Sequence, residues 1–242
     1  MKALILAGGR GNRINEFSAE INKCMIPFNG KPLIEHILDQ AVLLNFSQIV
    51  LVVGYKAEDI INQYGNNYKG KRIRYVIQKE QKGLVHAIEC AGPALDGEDF
   101  FLMLGDEVMY RPRLGDMLDF FLEKKNLFAL CGILRAKKRD MIRRTYAIVK
   151  DEENRIFRLI EKPRRPINEF QGTGHCIFKN RILDYIDITP IHHERREKEL
   201  PDLIQCSIDD GKDVRAFEIC DAYANINSKE DLEQIVNEWM EA

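Results

Sequence analysis

The chain begins with a short apolar run, ALILA at residues 3–7, followed at once by GGRGNR at residues 8–13. A run without charge is typical of a strand buried on both faces of a parallel sheet. Glycines directly after such a strand permit a sharp turn and let backbone N–H groups approach a ligand closely. Arg10 and Arg13 flank these groups. The segment is therefore typical of a phosphate-binding turn, or of a glycine-rich turn with solvated arginines.

Length and composition indicate a globular protein of one large domain. The chain has 242 residues, of which 45% are hydrophobic, and a formal net charge of −2. That charge gives no electrostatic reason to expect a nucleic-acid partner. No stretch approaches a membrane span, and the six cysteines are scattered without a C-x-x-C pair. We therefore expect a cytoplasmic protein with reduced thiols, and neither a nucleic acid nor a membrane as partner.

Strands and helices alternate in the first half. The pattern predicts strands at 3–7, 49–53, 73–77 and 100–104, and helices at 32–45, 57–64 and 84–91, the last ended by Gly92-Pro93. Alternation implies right-handed crossovers and a mostly parallel sheet. Ligands of such sheets bind beyond the carboxyl ends of the strands. We therefore expect Gly8, Gly54, Gln78 and Asp106 to be neighbours in space, with Asp106 either a metal ligand or a turn residue.

The second half of the chain is predicted to consist mostly of strands. Strands are predicted near 128–134, 146–150, 155–161 and 175–178, with few helices between them, and a final helix has Ser228 as its N-cap. The sheet should therefore become mixed and carry a subdomain. The predicted fold class is α/β, a Rossmann-like three-layer sandwich with a mostly parallel mixed central sheet and a small subdomain.

Two well-known glycine loops do not fit the N-terminal turn. The dinucleotide fingerprint would find Ile14 at its third glycine, and the P-loop candidate at Gly30-Lys31 ends in proline. The turn LAGGRGNR at residues 6–13 instead resembles the L-A-G-G-x-G-T-R signature of the sugar-1-phosphate nucleotidylyltransferases, with Asn12 in place of threonine. Further motifs of that family follow in its order along nearly the whole chain.

The resemblance implies a reaction and a division of the chain. The family joins a nucleoside triphosphate to a sugar 1-phosphate and releases pyrophosphate, by in-line attack on the α-phosphorus with no covalent enzyme intermediate. It implies a single nucleotidyltransferase domain over residues 1–242. The nucleotide-binding part would cover about 1–125, and the small subdomain, about 126–242, would bind the sugar phosphate. The implied partners are the two substrates, and the oligomeric state is open, a homo-oligomer included.

The resemblance also implies the nucleotide site. Gln78, in V-I-Q, and Gly83, in G-L-V-H-A, are similar to the base-recognition segment of the thymidylyl- and uridylyltransferases. A glutamine amide can pair with the N3–H and O4 edge of uracil or thymine. The implied nucleotide-binding residues are Leu6, Ala7, Gly8, Gly9, Gly11, Gln78, Gly83 and Gly105.

Four residues resemble the family's catalytic and metal-binding positions. Arg13 is similar to the arginine on the leaving pyrophosphate, and Lys23, in N-K-C-M-I-P, to the lysine of P-K-x-L-L-P, with Asn22 for proline. Asp106, in L-G-D, matches the metal aspartate, and Asn225 stands where W-x-D-I-G has its second acidic ligand. The implied cofactor is Mg²⁺. Because Asn225 is neutral, we expect the metal to arrive with the triphosphate.

On the sugar side, Glu161 and Lys162 match the family's E-K-P motif, which implies contacts to sugar hydroxyls and to the sugar's phosphate. Gly174, in G-T-G, resembles the turn beside the sugar. Tyr146 is followed by Ala147 where the family has glycine, which puts glucose 1-phosphate itself in doubt. Arg195, with Glu197, Glu199 and Asp202, follows a segment bordering the sugar site, although a surface helix rich in ion pairs also explains this spacing.

The resemblance favours transfer from UTP or dTTP to a sugar 1-phosphate. The alternative within the class is a cytidylyltransferase that acts on a small phosphate or phosphonate, which the E-K-P motif argues against. A non-catalytic nucleotide-sugar-binding homologue is the rival from another class. Retention of Arg13, Lys23, Asp106 and Lys162 together argues against that rival.

Overall fold

The computed structural model describes residues 1–9 and 22–226. Gly11, Arg13 and the predicted helix after Ser228 lie outside these ranges. The described strands are β1 (Lys2–Ala7), β2 (Pro27–Phe28), β3 (Lys31–Pro32), β4 (Ile49–Val53), β5 (Asn67–Tyr68), β6 (Lys71–Ile77), β7 (Phe100–Leu104), β8 (Glu107–Tyr110), β9 (Leu127–Arg135), β10 (Tyr146–Lys150), β11 (Ile156–Glu161), β12 (Phe170–Phe178), β13 (Asp213–Glu218) and β14 (Ala222–Asn225).

The α-helices in the described part are α1 (Leu33–Leu43), α2 (Ala57–Tyr64), α3 (Leu84–Leu95), α4 (Leu114–Glu123), α5 (Arg139–Ile142) and α6 (Leu200–Asp209), and Lys23–Met25 and Asn180–Tyr185 form 3₁₀ turns. No helix of the described residues has the length and apolarity needed to cross a membrane.

A mixed sheet runs through the described chain in the order β11-β10-β12-β7-β1-β4-β6-β5, with β9 paired to β12 and β13 paired to β9. Strands β7, β1, β4 and β6 are parallel to one another. Strands β12, β10 and β11 add antiparallel pairs. The sheet is therefore parallel across β7, β1, β4 and β6, with antiparallel pairs at β5 and on the other side, which confirms the predicted fold class.

Alternate residues of the central strands enter two separate cores, which gives the molecule three layers. In β1, Leu4 and Leu6 face the core under α3 and α6, whereas Ala3 and Ile5 face the core under α1, α2 and α4. Strands of this kind are buried on both faces, and this is why they read as unbroken apolar runs.

Two local predictions are wrong. Helix α3 does not end before Pro93 but continues to Leu95. Ala94 and Leu95 are buried in the α3/α6 core, and the Ala94 carbonyl accepts a hydrogen bond from Lys2 Nζ at 3.0 Å, so packing and a side-chain donor stabilise the last turn. The stretch around Gly174 is not a turn. It lies inside β12, where the pairing register with β9 shifts between Gly172 and Cys176.

Candidate active site

The carboxyl ends of the parallel strands converge as predicted. Gly54 follows β4, and a Cβ there would lie 2.8 Å from the carbonyl oxygen of Gly8, the residue after β1. The Gly105 N–H, after β7, donates to the Leu6 carbonyl at 2.9 Å. Gln78, after β6, faces Gly8 through its side-chain oxygen, which is 3.0 Å from the position of a Cβ on Gly8. Glycine at 8 and 54 therefore permits the close backbone approach that the site requires.

The Gln78 amide is held in one orientation. Its Nε2 donates to the Gly83 carbonyl at 3.0 Å and lies 3.0 Å from His86 Nδ1. A carbonyl can only accept, so the amide nitrogen must point toward Gly83. Both amide hydrogens are thus used inside the protein, and Oε1 is left facing the glycine turn. With both hydrogens engaged, Oε1 is the amide atom that remains as an acceptor, and the pairing of Gln78 with the N3–H and O4 of a base stays a prediction.

Gly83 brings the segment that begins helix α3 against the loop before α6. Its φ of +93° lies in the region that favours glycine, and a Cβ at this position would overlap the carboxylate of Glu197. Residues 192–197 form a tight loop in which the His192 N–H donates to the Glu197 carbonyl at 2.8 Å. Arg195 and Glu197 therefore belong to a loop before α6, and the alternative of a surface helix over this segment is wrong for both.

Asn22 anchors the loop that presents Lys23. The side chain of Asn22 is fully buried, and its Nδ2 donates to the carbonyls of Ala7 at 3.2 Å and Tyr55 at 2.7 Å. Its Oδ1 accepts from the Cys24 N–H at 2.9 Å, which caps the 3₁₀ turn of Lys23–Met25. Asparagine thus ties the end of β1 to the loop after β4. Asn22, which stands where the family has proline, therefore has a structural role in holding this loop.

Lys23 brings the two candidate metal ligands together. Its Nζ donates to Asp106 Oδ2 at 2.5 Å and to Asn225 Oδ1 at 3.1 Å, and the residue is 6% exposed. Asp106 follows β7 and Asn225 ends β14, so residues far apart in sequence converge on one cation. The predicted grouping of Lys23, Asp106 and Asn225 is therefore present in the structure.

This arrangement fits a divalent cation that is shared with substrate. A carboxylate and an amide oxygen converge on a single positive charge, and both are the oxygen ligands that Mg²⁺ takes in proteins. Across the described ranges, no cluster of three or more His, Cys, Asp or Glu residues could hold a metal by protein groups alone. A Mg²⁺ ion here would take its remaining ligands from phosphates and water.

Glu107, next to Asp106, lies behind this pair and is 1% exposed. It accepts hydrogen bonds from the Tyr223 hydroxyl and from the Gly174 N–H at 3.2 Å. His175 Nε2 lies 3.2 Å from its Oε2, although neither ring nitrogen of His175 makes a hydrogen bond within the described residues. Burial, and next the charge of Glu107, raises the pKa of Tyr223 well above its usual value.

The residues predicted for the sugar phosphate form a second charged group. Glu161 Oε1 lies 3.1 Å from Lys162 Nζ and 3.4 Å from a terminal nitrogen of Arg195, whose Nε in turn bonds Glu199 at the start of α6. Burial is the main cause that raises the pKa of Glu161, Glu197 and Asp202 above their ordinary values, and for the last two the Glu199 carboxylate is the next cause.

Tyr146 and Gly174 are packed inside the protein. Tyr146 is 4% exposed, and its hydroxyl donates to the Thr173 carbonyl at 2.9 Å. A Cβ on Gly174 would overlap the Leu104 side chain. The side chain of Tyr146 therefore shapes β12 from within the core, and its assignment as a substrate-binding residue, like that of Gly174, stays a prediction.

Three residues of the site were not predicted from the sequence: Asn22 as an anchor, His86 beside Gln78, and Glu107. The position of His86 could have been predicted from the sequence. It follows Gly83 by three residues in the first turn of a helix, and this spacing places both residues on the same side of the helix. Glu107 offers no such signal, since its partners Gly174, Tyr223 and Asn225 come from distant strands.

Comparison with known proteins gives consistent matches. A sequence model described as nucleotidyl transferase matches residues 2–240. The UTP–glucose-1-phosphate uridylyltransferase AglF of Haloferax volcanii is 33% identical over 234 residues, which cover 97% of this chain and 94% of that protein. The bifunctional protein GlmU of Methanocaldococcus jannaschii is 32% identical over 88% of this chain, and the match spans about half, 48%, of its own length.

Solved structures show the same fold. A UDP-glucose pyrophosphorylase complexed with UDP-glucose superposes with a TM-score of 0.88 at 20% identity and covers 99% of this chain and 98% of its own. UTP-bound UGPase from Acinetobacter baumannii gives a TM-score of 0.83 at 20% identity, covering 98% and 92%. At these identities the likeness establishes the fold, and it agrees with the three layers described above.

Proposed function

Because the chain belongs to the nucleotidyl transferase family, we propose that it transfers a uridylyl or thymidylyl group from UTP or dTTP to a sugar 1-phosphate, with release of pyrophosphate. The observation that carries the proposal is the convergence of Asp106 and Asn225 on the buried ammonium of Lys23. Phosphoryl and nucleotidyl transfer depend mainly on positioning and on neutralisation of phosphate charge. A buried cation next to two oxygen ligands supplies both requirements.

In this scheme Asp106 and Asn225 would hold Mg²⁺, and the ion would supply positive charge that neutralises the triphosphate. Lys23 donates to a phosphate oxygen near the α-phosphorus and stabilises the charge that develops in the transition state. Its burial strengthens that interaction, because a screened surface lysine would contribute far less. Arg13, outside the described residues, remains the candidate for the leaving pyrophosphate.

The base preference rests on the fixed amide of Gln78. Oε1 can accept from the N3–H of uracil or thymine, whereas cytosine presents an acceptor at the same position. Rotation of the amide to suit cytosine would set Oε1 against the carbonyl of Gly83, two acceptors facing each other. This cost favours UTP and dTTP over CTP, and it argues against the cytidylyltransferase alternative.

The sugar 1-phosphate is assigned to the charged group around Glu161. Lys162 is the candidate for the sugar's phosphate, and Glu161 for the hydroxyls, with Arg195 holding the Glu161 carboxylate in place. The name of the Haloferax relative, a UTP–glucose-1-phosphate uridylyltransferase, supports a hexose 1-phosphate as the class of acceptor. Ala147, next to Tyr146, is fully buried.

A pyrophosphate-release assay tests the proposal. The purified protein is incubated with Mg²⁺, one triphosphate and one of a panel of acceptors that includes hexose 1-phosphates and phosphocholine, and the products are identified by mass spectrometry. The proposal predicts pyrophosphate and a UDP- or dTDP-sugar in equal amounts. Product formed only from CTP and phosphocholine would favour the cytidylyltransferase. Binding without pyrophosphate from any pair would favour the non-catalytic homologue.

A further inference from the structure

The carboxylate of Glu107 is surrounded by hydrogen-bond donors. The Tyr223 hydroxyl donates to Oε1, the Gly174 N–H donates to Oε2 at 3.2 Å, and Asn225 Nδ2 donates to Oε1 at 3.4 Å. A buried carboxylate has lost its hydration and needs such partners. The surroundings of Glu107 are therefore built for a group that only accepts.

Asn225 stands between two neighbours of opposite hydrogen-bonding character. Lys23 can only donate, so it must meet the amide oxygen, which lies 3.1 Å from its Nζ. Glu107 as a carboxylate can only accept, so it must meet the amide nitrogen. The two neighbours together define the orientation of the amide, with its oxygen toward Lys23 and its nitrogen toward Glu107.

We propose that Glu107 is a positioning residue: it turns the Asn225 oxygen toward the Lys23 ammonium, which Asp106 also contacts, and makes position 225 require an amide instead of a carboxylate. For the identity of the metal that the two oxygens hold, this inference rests on the proposed function. An aspartate at 225 would set an oxygen against Glu107 Oε1 where the amide now donates. Two buried carboxylates at that distance repel each other. This explains why the chain has Asn225 where the resembling motif has an acidic ligand.

Exchange of the carboxylate and the amide between positions 107 and 225 tests the inference. Wild type, Glu107→Gln, Asn225→Asp and the double variant are compared by thermal unfolding and by Mn²⁺ affinity, measured by electron paramagnetic resonance with UTP and no sugar phosphate. Tyr223→Phe is the matched control, because it removes another donor to Glu107 and leaves Asn225 in place.

We expect Glu107→Gln to weaken Mn²⁺ binding by about tenfold or more, as is usual for groups that orient a metal ligand. Asn225→Asp should lower the Tm. The double variant should recover much of that Tm and bind Mn²⁺ at least as tightly as wild type, because the glutamine can donate to the new carboxylate. Tyr223→Phe should lower the Tm and leave Mn²⁺ affinity unchanged.

Additive changes in Tm would overturn the inference, and so would equal loss of Mn²⁺ affinity in Glu107→Gln and Tyr223→Phe, which would indicate a general structural role. If Asn225→Asp fails to fold, a folded double variant supports the inference and an unfolded one contradicts it. The Tm coupling is readable even if the protein releases no pyrophosphate from any substrate pair. Failure of the proposed function is therefore distinguishable from failure of this inference.

Discussion

The carboxylate of Glu197 packs directly against the α-carbon of Gly83, so that the loop before α6 touches the segment that begins helix α3. This contact joins the candidate base-binding segment to the candidate sugar side. Because Gly83 also has a φ of +93°, any side chain there meets both backbone strain and a filled space.

Gly83→Ala should therefore impair nucleotide use more than stability. We expect kcat/KM for UTP to fall by about tenfold or more, since displacement of this segment removes the acceptor that orients Gln78. Gly97→Ala is the control, because Gly97 has a φ of +74° with no atom near its Cβ position. The control should lose stability without loss of kcat/KM, and equal kinetic effects of both variants would contradict the assigned role of Gly83.

The raised pKa of Glu197 predicts a pH-dependent stabilisation. Burial, and next the Glu199 carboxylate, favours its protonated form in the folded state. The stability contributed by such a group is present at low pH and is lost as the pH rises through the folded-state pKa. Glutamine resembles the protonated form at every pH. Glu197→Gln should therefore raise the Tm at pH 8, and the difference should vanish below about pH 4, the pKa of an unfolded glutamate.

Thermal unfolding between pH 4 and pH 8 measures this difference, with Glu194→Gln as the control. Glu194 is exposed in the same loop, so its replacement relieves no burial. A Tm gain that is the same at both ends of the pH range would show that charge on Glu197 is not its cause.

The two lysines should separate kinetically. Lys162→Ala should mainly raise KM for the sugar phosphate, whereas Lys23→Ala should lower kcat, because one cation positions a substrate and the other meets transition-state charge. Lys23→Ala also leaves Asp106 without its ion-pair partner, so its Tm is measured alongside. Initial rates with each substrate varied in turn give both constants. Identical effects of the two variants on both substrates would refute the division.

Asp106→Asn keeps the shape of the side chain and removes its charge. If Asp106 holds the metal, kcat should fall by about a hundredfold or more, consistent with loss of several kcal/mol of charge stabilisation. Activity is measured across a Mg²⁺ titration together with circular dichroism of the fold. Near-normal turnover at low Mg²⁺ with an intact fold would remove Asp106 from the mechanism.

The central sheet was predictable from sequence because its strands are buried on both faces. Residues 49–53 and 100–104 were predicted with the bounds that β4 and β7 have in the structure. Strands β8 and β14 were not predicted, since each has only four residues and pairs with a strand more than a hundred residues away in sequence. Helix α4 was also missed, although its apolar residues face the α1/α2/α4 core.

The candidate site also combines features that the sequence predicted with features that it did not. The motifs predicted that Lys23, Asp106 and Asn225 belong together, and the structure places them in contact. Motifs describe residues that would face a ligand. They do not reveal a residue such as Glu107, which is buried and contacts the candidate metal ligand Asn225. Orientation was equally out of reach, because the direction of the Gln78 amide depends on the Gly83 carbonyl and on the helical return of His86.

In the proposed function, a fixed Gln78 amide selects a uracil or thymine triphosphate for transfer to a sugar 1-phosphate. Steady-state kcat/KM for UTP, dTTP, CTP, ATP and GTP with one accepted sugar phosphate tests it most directly. We expect kcat/KM for UTP and dTTP to exceed that for CTP by about tenfold or more, the effect of one opposed buried hydrogen bond, and purine triphosphates to react poorly. A kcat/KM for CTP equal to or above those for UTP and dTTP would contradict it.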